Sequence, residues 1–227
     1  IAGVGSDGRQ YRGLLNDPEI TRDFRVIVFD MPWHGKSSPP PGFETEEYKL
    51  TTKAYTDMVL TVSRALRLEK PVVMGCSIGG RIALVLAMEH PTEFRAIIGL
   101  QSGAAIERYY ELDWLHHPEV HGSEASAAVV SGLMAPTSPD ADRWETLWHY
   151  MQGGPGIFKG DLYFYRGEDG DIRDRLHRID VKKCPLYLLT GEYDYSVSPE
   201  DTKQAADRIP GVKFQVMPKL GHFPMSE

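Results

Sequence analysis

The chain has 227 residues, and 25 Lys and Arg against 32 Asp and Glu give a formal net charge of −7. Apolar residues make up 41% and charged residues 25%, which excludes a disordered chain and leaves enough apolar material for one sizeable core. Scattered basic residues on an acidic background argue against nucleic acid or an anionic membrane as partner, and the longest apolar run, Ile82 to Met88, is far short of the ~20 residues of a membrane helix.

Ile1-Ala2-Gly3-Val4-Gly5 reads as the end of a strand entering a glycine loop, with no initiator Met before it. Arg25 to Phe29 is a β-branched run bounded by Asp30 and Pro32, and predicts a strand. Thr52 to Leu68 carries Ala54, Met58, Val59, Val62 and Leu66 at helical spacing. A strand over Pro71–Met74, a helix over Ile78–His90 ended by Pro91, and a strand over Arg95–Leu100 follow. From about Ser102 to Asp180 the rhythm breaks. That interval holds Trp114, Trp144 and Trp148, with helical patterns over Ala125–Leu133 and Ala141–Met151 between Gly- and Pro-rich joints. The rhythm resumes with a strand over Pro185–Thr190, a helix over Pro199–Ile209 and a strand over Val212–Met217.

Strands apolar on both faces and alternating with helices predict an α/β fold, a mostly parallel sheet flanked by helices. The interval is read as a mainly helical cap over residues 103–180, inserted into a core formed by 1–102 and 181–227. A second small domain with its own core is the alternative. The closing Pro224-Met225-Ser226-Glu227 looks like the start of another helix, so both ends read as cuts within a longer chain. Cys76 and Cys184 provide no disulfide framework and suit a reducing compartment, so a cytoplasmic location is expected.

The strongest local signal is Gly75-Cys76-Ser77-Ile78-Gly79-Gly80, between a predicted strand and a predicted helix. A serine on such a tight turn has its hydroxyl presented as a nucleophile, and the helix start behind it offers unpaired N–H groups to an oxyanion. The hydroxyl needs a base. Of eight histidines, His222 follows the strand Val212–Met217 through a Pro-Lys-Leu-Gly loop, from which it can reach across the sheet top. Asp194, directly after the strand Pro185–Thr190, is the candidate to orient that imidazole, with Glu192 competing for the role.

Four segments carry a resemblance to the α/β-hydrolase superfamily, in particular its ester hydrolases with a helical cap. Phe29-Asp30-Met31-Pro32-Trp33-His34-Gly35-Lys36-Ser37 looks like that family's loop after its fourth strand, with Trp33 in place of a usual Gly. Gly75 to Gly80 is similar to its nucleophile elbow, Gly191-Glu192-Tyr193-Asp194 to its acid loop, and Gly221-His222-Phe223-Pro224 to its histidine loop. The chain order Ser77, Asp194, His222 is the family's order. The resemblance implies a catalytic triad of these three residues. It also implies an oxyanion hole built from the backbone N–H groups of Val4, or Gly5 one residue on, and Ile78, where Ala2-Gly3 replaces the family's His-Gly.

The implied activity is hydrolysis of a small-molecule carboxylic ester with neither metal nor organic cofactor. A lactonase, a hydrolase of carbon–carbon bonds in ring-cleavage diketones, and a non-catalytic ligand receptor are the alternatives. Trp114, Trp144, Trp148 and Tyr150 are candidates to line the substrate pocket, against the plainer reading that they form the cap's own core. His116-His117-Pro118-Glu119-Val120-His121 invites a metal site, but Pro118 breaks any helical face and a solvated loop is expected. Cys76 is expected to be a small buried apolar residue.

Overall fold

Four short aliphatic runs pair in parallel as β1 (Val72–Cys76), β2 (Ala96–Leu100), β3 (Leu186–Gly191) and β4 (Lys213–Met217), side by side in that order. This is a computed structural model, and it describes residues 1–107, 115, 122–167 and 169–227, with backbone alone at 122 and 123. Cys76 pairs in register with Leu100, Leu100 with Leu189, and Gly191 with Met217. The carboxyl ends of all four strands therefore lie along one edge of the sheet, where α/β proteins collect their functional loops.

Around the sheet run α1 (Arg12–Asn16), α2 (Pro18–Asp23), α3 (Thr52–Ala65), α4 (Ile78–Glu89), α5 (Gly122–Ser131), α6 (Asp140–Met151), α7 (Ile157–Leu162) and α8 (Pro199–Ala206). Helix α4 is apolar on almost every face, so it is buried on almost every face. Ile82, Leu84 and Leu86 are fully enclosed where it packs on β1 and β2. Helix α3 starts at Thr51, whose side chain accepts the Ala54 N–H, and it buries Tyr55, Val59 and Leu60. Helix α8 opens on a reciprocal cap between Ser198 and Asp201, with Pro199 in its first turn.

The strand expected over Arg25–Phe29 does not form. Strand structure is held by hydrogen bonds to a neighbouring strand, and no strand pairs with this segment among the described residues. Val26 and Val28 instead line a cavity of about 980 Å³ together with Val72, Met74 and Ile98. The expectation of strands apolar on both faces also fails at β4. It is the sheet edge, and Lys213, Gln215 and Val216 are exposed.

Between β2 and β3 the described chain contributes α5, α6, α7 and short 3₁₀ turns, with α5 packed on α6. Arg81 of α4 is buried and donates to the backbone carbonyls of Ala104 and Gly170, tying α4 to two parts of this interval. An antiparallel bridge, Ala105 with Asp171, joins the same two parts. No helix among the described residues is long and apolar enough to cross a membrane.

Candidate active site

Ser77 sits between the end of β1 and the first turn of α4 with φ 59° and ψ −117°, a left-handed conformation that a non-glycine residue rarely adopts. Its neighbours hold it there. The Ser77 N–H donates to the Leu100 carbonyl at 3.0 Å, and its carbonyl accepts the Arg81 N–H at 2.8 Å. A side chain at Gly75 would strike the Gly79 carbonyl, and one at Gly79 would lie 2.5 Å from the Ile1 carbonyl oxygen. The glycine spacing in the sequence is therefore a packing requirement of helix against strand.

His222 lies in the loop after β4 and Asp194 in the loop after β3, both buried. The imidazole Nδ1 is 2.8 and 2.9 Å from the two Asp194 carboxylate oxygens, so the proton on that nitrogen is donated to Asp194 and Nε2 is left as the acceptor. The Asp194 carboxylate is itself fixed by the N–H groups of Ser196 at 2.8 Å and Val197 at 3.0 Å. Glu192, its competitor, is exposed and accepts the Lys219 N–H at 2.9 Å. The structure thus joins His222 to Asp194. No hydrogen bond joins Ser77 Oγ to His222 among the described residues; such contacts commonly tighten only in the substrate complex.

Cys76 bridges the serine turn and the histidine loop, its Sγ donating to the His222 carbonyl at 3.3 Å. Burial pushes its thiol well above the ordinary range, which suits a small buried residue. Two further residues hold the loops and were missed in the sequence. Gln101, fully buried at φ 54°, donates from Nε2 to the Gly221 carbonyl at 2.7 Å and accepts the Gly191 N–H at Oε1, 3.0 Å away. It ties the start of the acid loop to the residue before His222. The only signal for it was a polar residue directly after an apolar strand. The Glu227 carboxylate accepts the N–H groups of Gly221 and Phe223, which flank His222, as well as that of Ala135.

Of the two N–H groups considered for the oxyanion, that of Gly5 is already donated to Asp161 at 2.6 Å. Val4 remains as the candidate beside Ile78, whose N–H belongs to the first turn of α4. Gly3 brings this loop against the serine, since a Cβ on Gly3 would lie 3.2 Å from that of Ser77.

The aromatic candidates separate. Trp144 and Trp148 are 69% and 61% exposed and belong to neither hydrophobic core among the described residues. Four residues apart, they share the outer face of α6, offset from its buried positions Thr146, His149 and Tyr150. Tyr150 is 3% exposed. Its hydroxyl accepts from Gln10 Nε2 at 2.6 Å, its ring lies 5.4 Å from that of Phe223, and it borders a cavity of about 30 Å³ shared with Gly5 and Phe158. Trp114 and the segment His116 to His121 lie outside the described residues.

A sequence profile described as the alpha/beta hydrolase fold matches residues 2–128. The chain is 24% identical over 255 residues to a pimeloyl-[acyl-carrier protein] methyl ester esterase of Neisseria meningitidis, covering 99% of this chain and 70% of that protein. A thermophilic esterase from Thermogutta terrifontis is similar in structure with a TM-score of 0.82 at 23% identity, covering 99% of this chain and 82% of that one. The enol-lactonase from Burkholderia xenovorans LB400 gives 0.75 at 19% identity, with 98% and 82% covered.

Proposed function

Because the chain belongs to the α/β-hydrolase fold family, we propose that it is a serine hydrolase that cleaves a carboxylic ester through an acyl-enzyme. The observation that carries this reading is the buried His222–Asp194 pair, held on loops at the sheet end where Ser77 occupies its positive-φ turn. In this reading His222 Nε2 removes the Ser77 proton as Oγ attacks the acyl carbon. The N–H groups of Val4 and Ile78 hold the negative charge that develops on the carbonyl oxygen. His222 returns its proton to the departing alcohol. It then takes a proton from water, whose oxygen attacks the acyl carbon, and hands that proton to Oγ as the acid leaves. Residues 103–180 serve as a cap over the site. No step requires a metal or an organic cofactor.

The likeness to two esterases supports an ester as substrate. A lactone is a cyclic ester and is opened by the same steps, and the likeness to an enol-lactonase supports it as the second reading. Steady-state assays with p-nitrophenyl esters, a lactone and a vinylogous 1,5-diketone test the assignment. Highest kcat/KM on an open-chain ester is expected. Preference for the diketone would overturn the ester reading, and turnover of none would overturn the enzymatic one.

A further inference from the structure

Asp161, on α7 between β2 and β3, is a carboxylate only 2% exposed. A charge so deep needs partners. It has three, all from the sheet layer: the Gly5 N–H at 2.6 Å and His34 Nε2 at 2.9 Å, both on Oδ2, and the Tyr48 hydroxyl at 2.7 Å on Oδ1.

His34 is equally buried, and its other nitrogen, Nδ1, lies 3.0 Å from the Pro32 carbonyl. Both ring nitrogens thus face acceptors, an arrangement only the doubly protonated imidazolium satisfies. Burial lowers the pKa of this group, but the charge and hydrogen bond of Asp161, the Pro32 carbonyl and the nearby Asp30 outweigh it, raising the value to about 9. His34 is therefore placed as the buried counter-ion of the Asp161 carboxylate. A charged acceptor binds an N–H roughly twice as strongly as a neutral one.

The Gly5 N–H is the one adjacent to the Val4 N–H. The same helix presses on this loop from a second point, because the Phe158 ring lies where a Cβ on Gly5 would be, 2.7 Å away. Two side chains of α7, one turn apart, therefore grip a single residue of the loop that approaches Ser77. We propose that Asp161 is a positioning residue for hydrolysis, which by binding the Gly5 N–H holds the Gly3–Gly5 turn with the Val4 N–H aimed at the oxyanion. It makes assembly of the oxyanion hole depend on the docking of α7. This rests on the reading of Ser77 as nucleophile and Val4 as donor.

The test is steady-state kinetics of Asp161→Asn, which keeps the size and one acceptor oxygen, and of Asp161→Ala. Rates are expressed per Ser77 labelled to completion by a fluorophosphonate. Loss of an oxyanion donor costs about 10²–10³ in kcat, so a misaimed donor should lower kcat by about 10-fold in the Asn variant and about 100-fold in the Ala variant. KM should stay within about threefold, because the ground-state ester makes little use of the hole. A kcat within twofold of wild type in either folded variant overturns the proposal, as does a raised KM with kcat unchanged. If neither variant folds, the Gly5 amide of the wild-type protein decides, since exchange as fast as an exposed amide overturns the clamp and strong protection supports it. Absence of Ser77 labelling in wild type would instead overturn the underlying reading.

Discussion

Asp194 and Glu192 stand on one loop, two positions apart, yet only Asp194 faces the imidazole. In the proposed mechanism a carboxylate there does two things: it fixes the proton on Nδ1, leaving Nε2 free to accept, and it stabilises the cation formed as His222 takes the serine proton. Asp194→Asn preserves the shape but favours the other tautomer, and kcat should fall by roughly 10⁴-fold. Glu192→Gln removes a charge that, among the described residues, meets the Lys219 backbone and not His222, so kcat should stay within about threefold. Measuring kcat of both variants on one ester checks the assignment, and the reverse order of effects would transfer the role to Glu192. The same scale accounts for what the sequence concealed. Ser77, Asp194 and His222 stand out in the sequence as candidates because glycines and strand ends mark them. Gln101 and Asp161 carry no such mark, since each acts through partners from distant parts of the chain that only the fold brings together.

Helix α6 divides its aromatics between its two faces. Trp144 and Trp148 point outward, while Tyr150 is enclosed between Gln10 and Phe223. Sequence periodicity located this helix closely, as it did α3, α4 and α8, but aromatic content alone could not say which face was buried. The physical reason is that a tryptophan contributes the same apolar area to either face, and only the neighbouring elements decide. Trp148→Ala should therefore change stability by no more than about 0.5 kcal/mol. Tyr150→Ala should cost about 3–5 kcal/mol, as for other buried aromatics. Thermal unfolding of the two variants, with the ranking of ester substrates measured alongside, checks this. A large loss in Trp148→Ala, or a changed ranking, would show that its face is covered in solution.

Across the whole molecule, the parallel sheet and the positions of its inner strands were written in runs of apolar residues, because strands buried on both faces need little else. Arg25 to Phe29 carries the same signature and forms no strand, which shows that composition supplies the propensity while a paired neighbour supplies the structure. The register then brings the ends of β1, β2 and β3 level, so that residues far apart in the chain meet at one edge. That convergence is what makes a nucleophilic Ser77 the central claim, and covalent labelling tests it most directly. Intact protein incubated with a fluorophosphonate should gain one adduct, and peptide mass spectrometry should locate it on Ser77. Ser77→Ala should take up no label and lose turnover by on the order of 10⁶-fold. An adduct on another residue, or a Ser77→Ala protein that keeps a tenth of wild-type ester hydrolysis, would contradict the account.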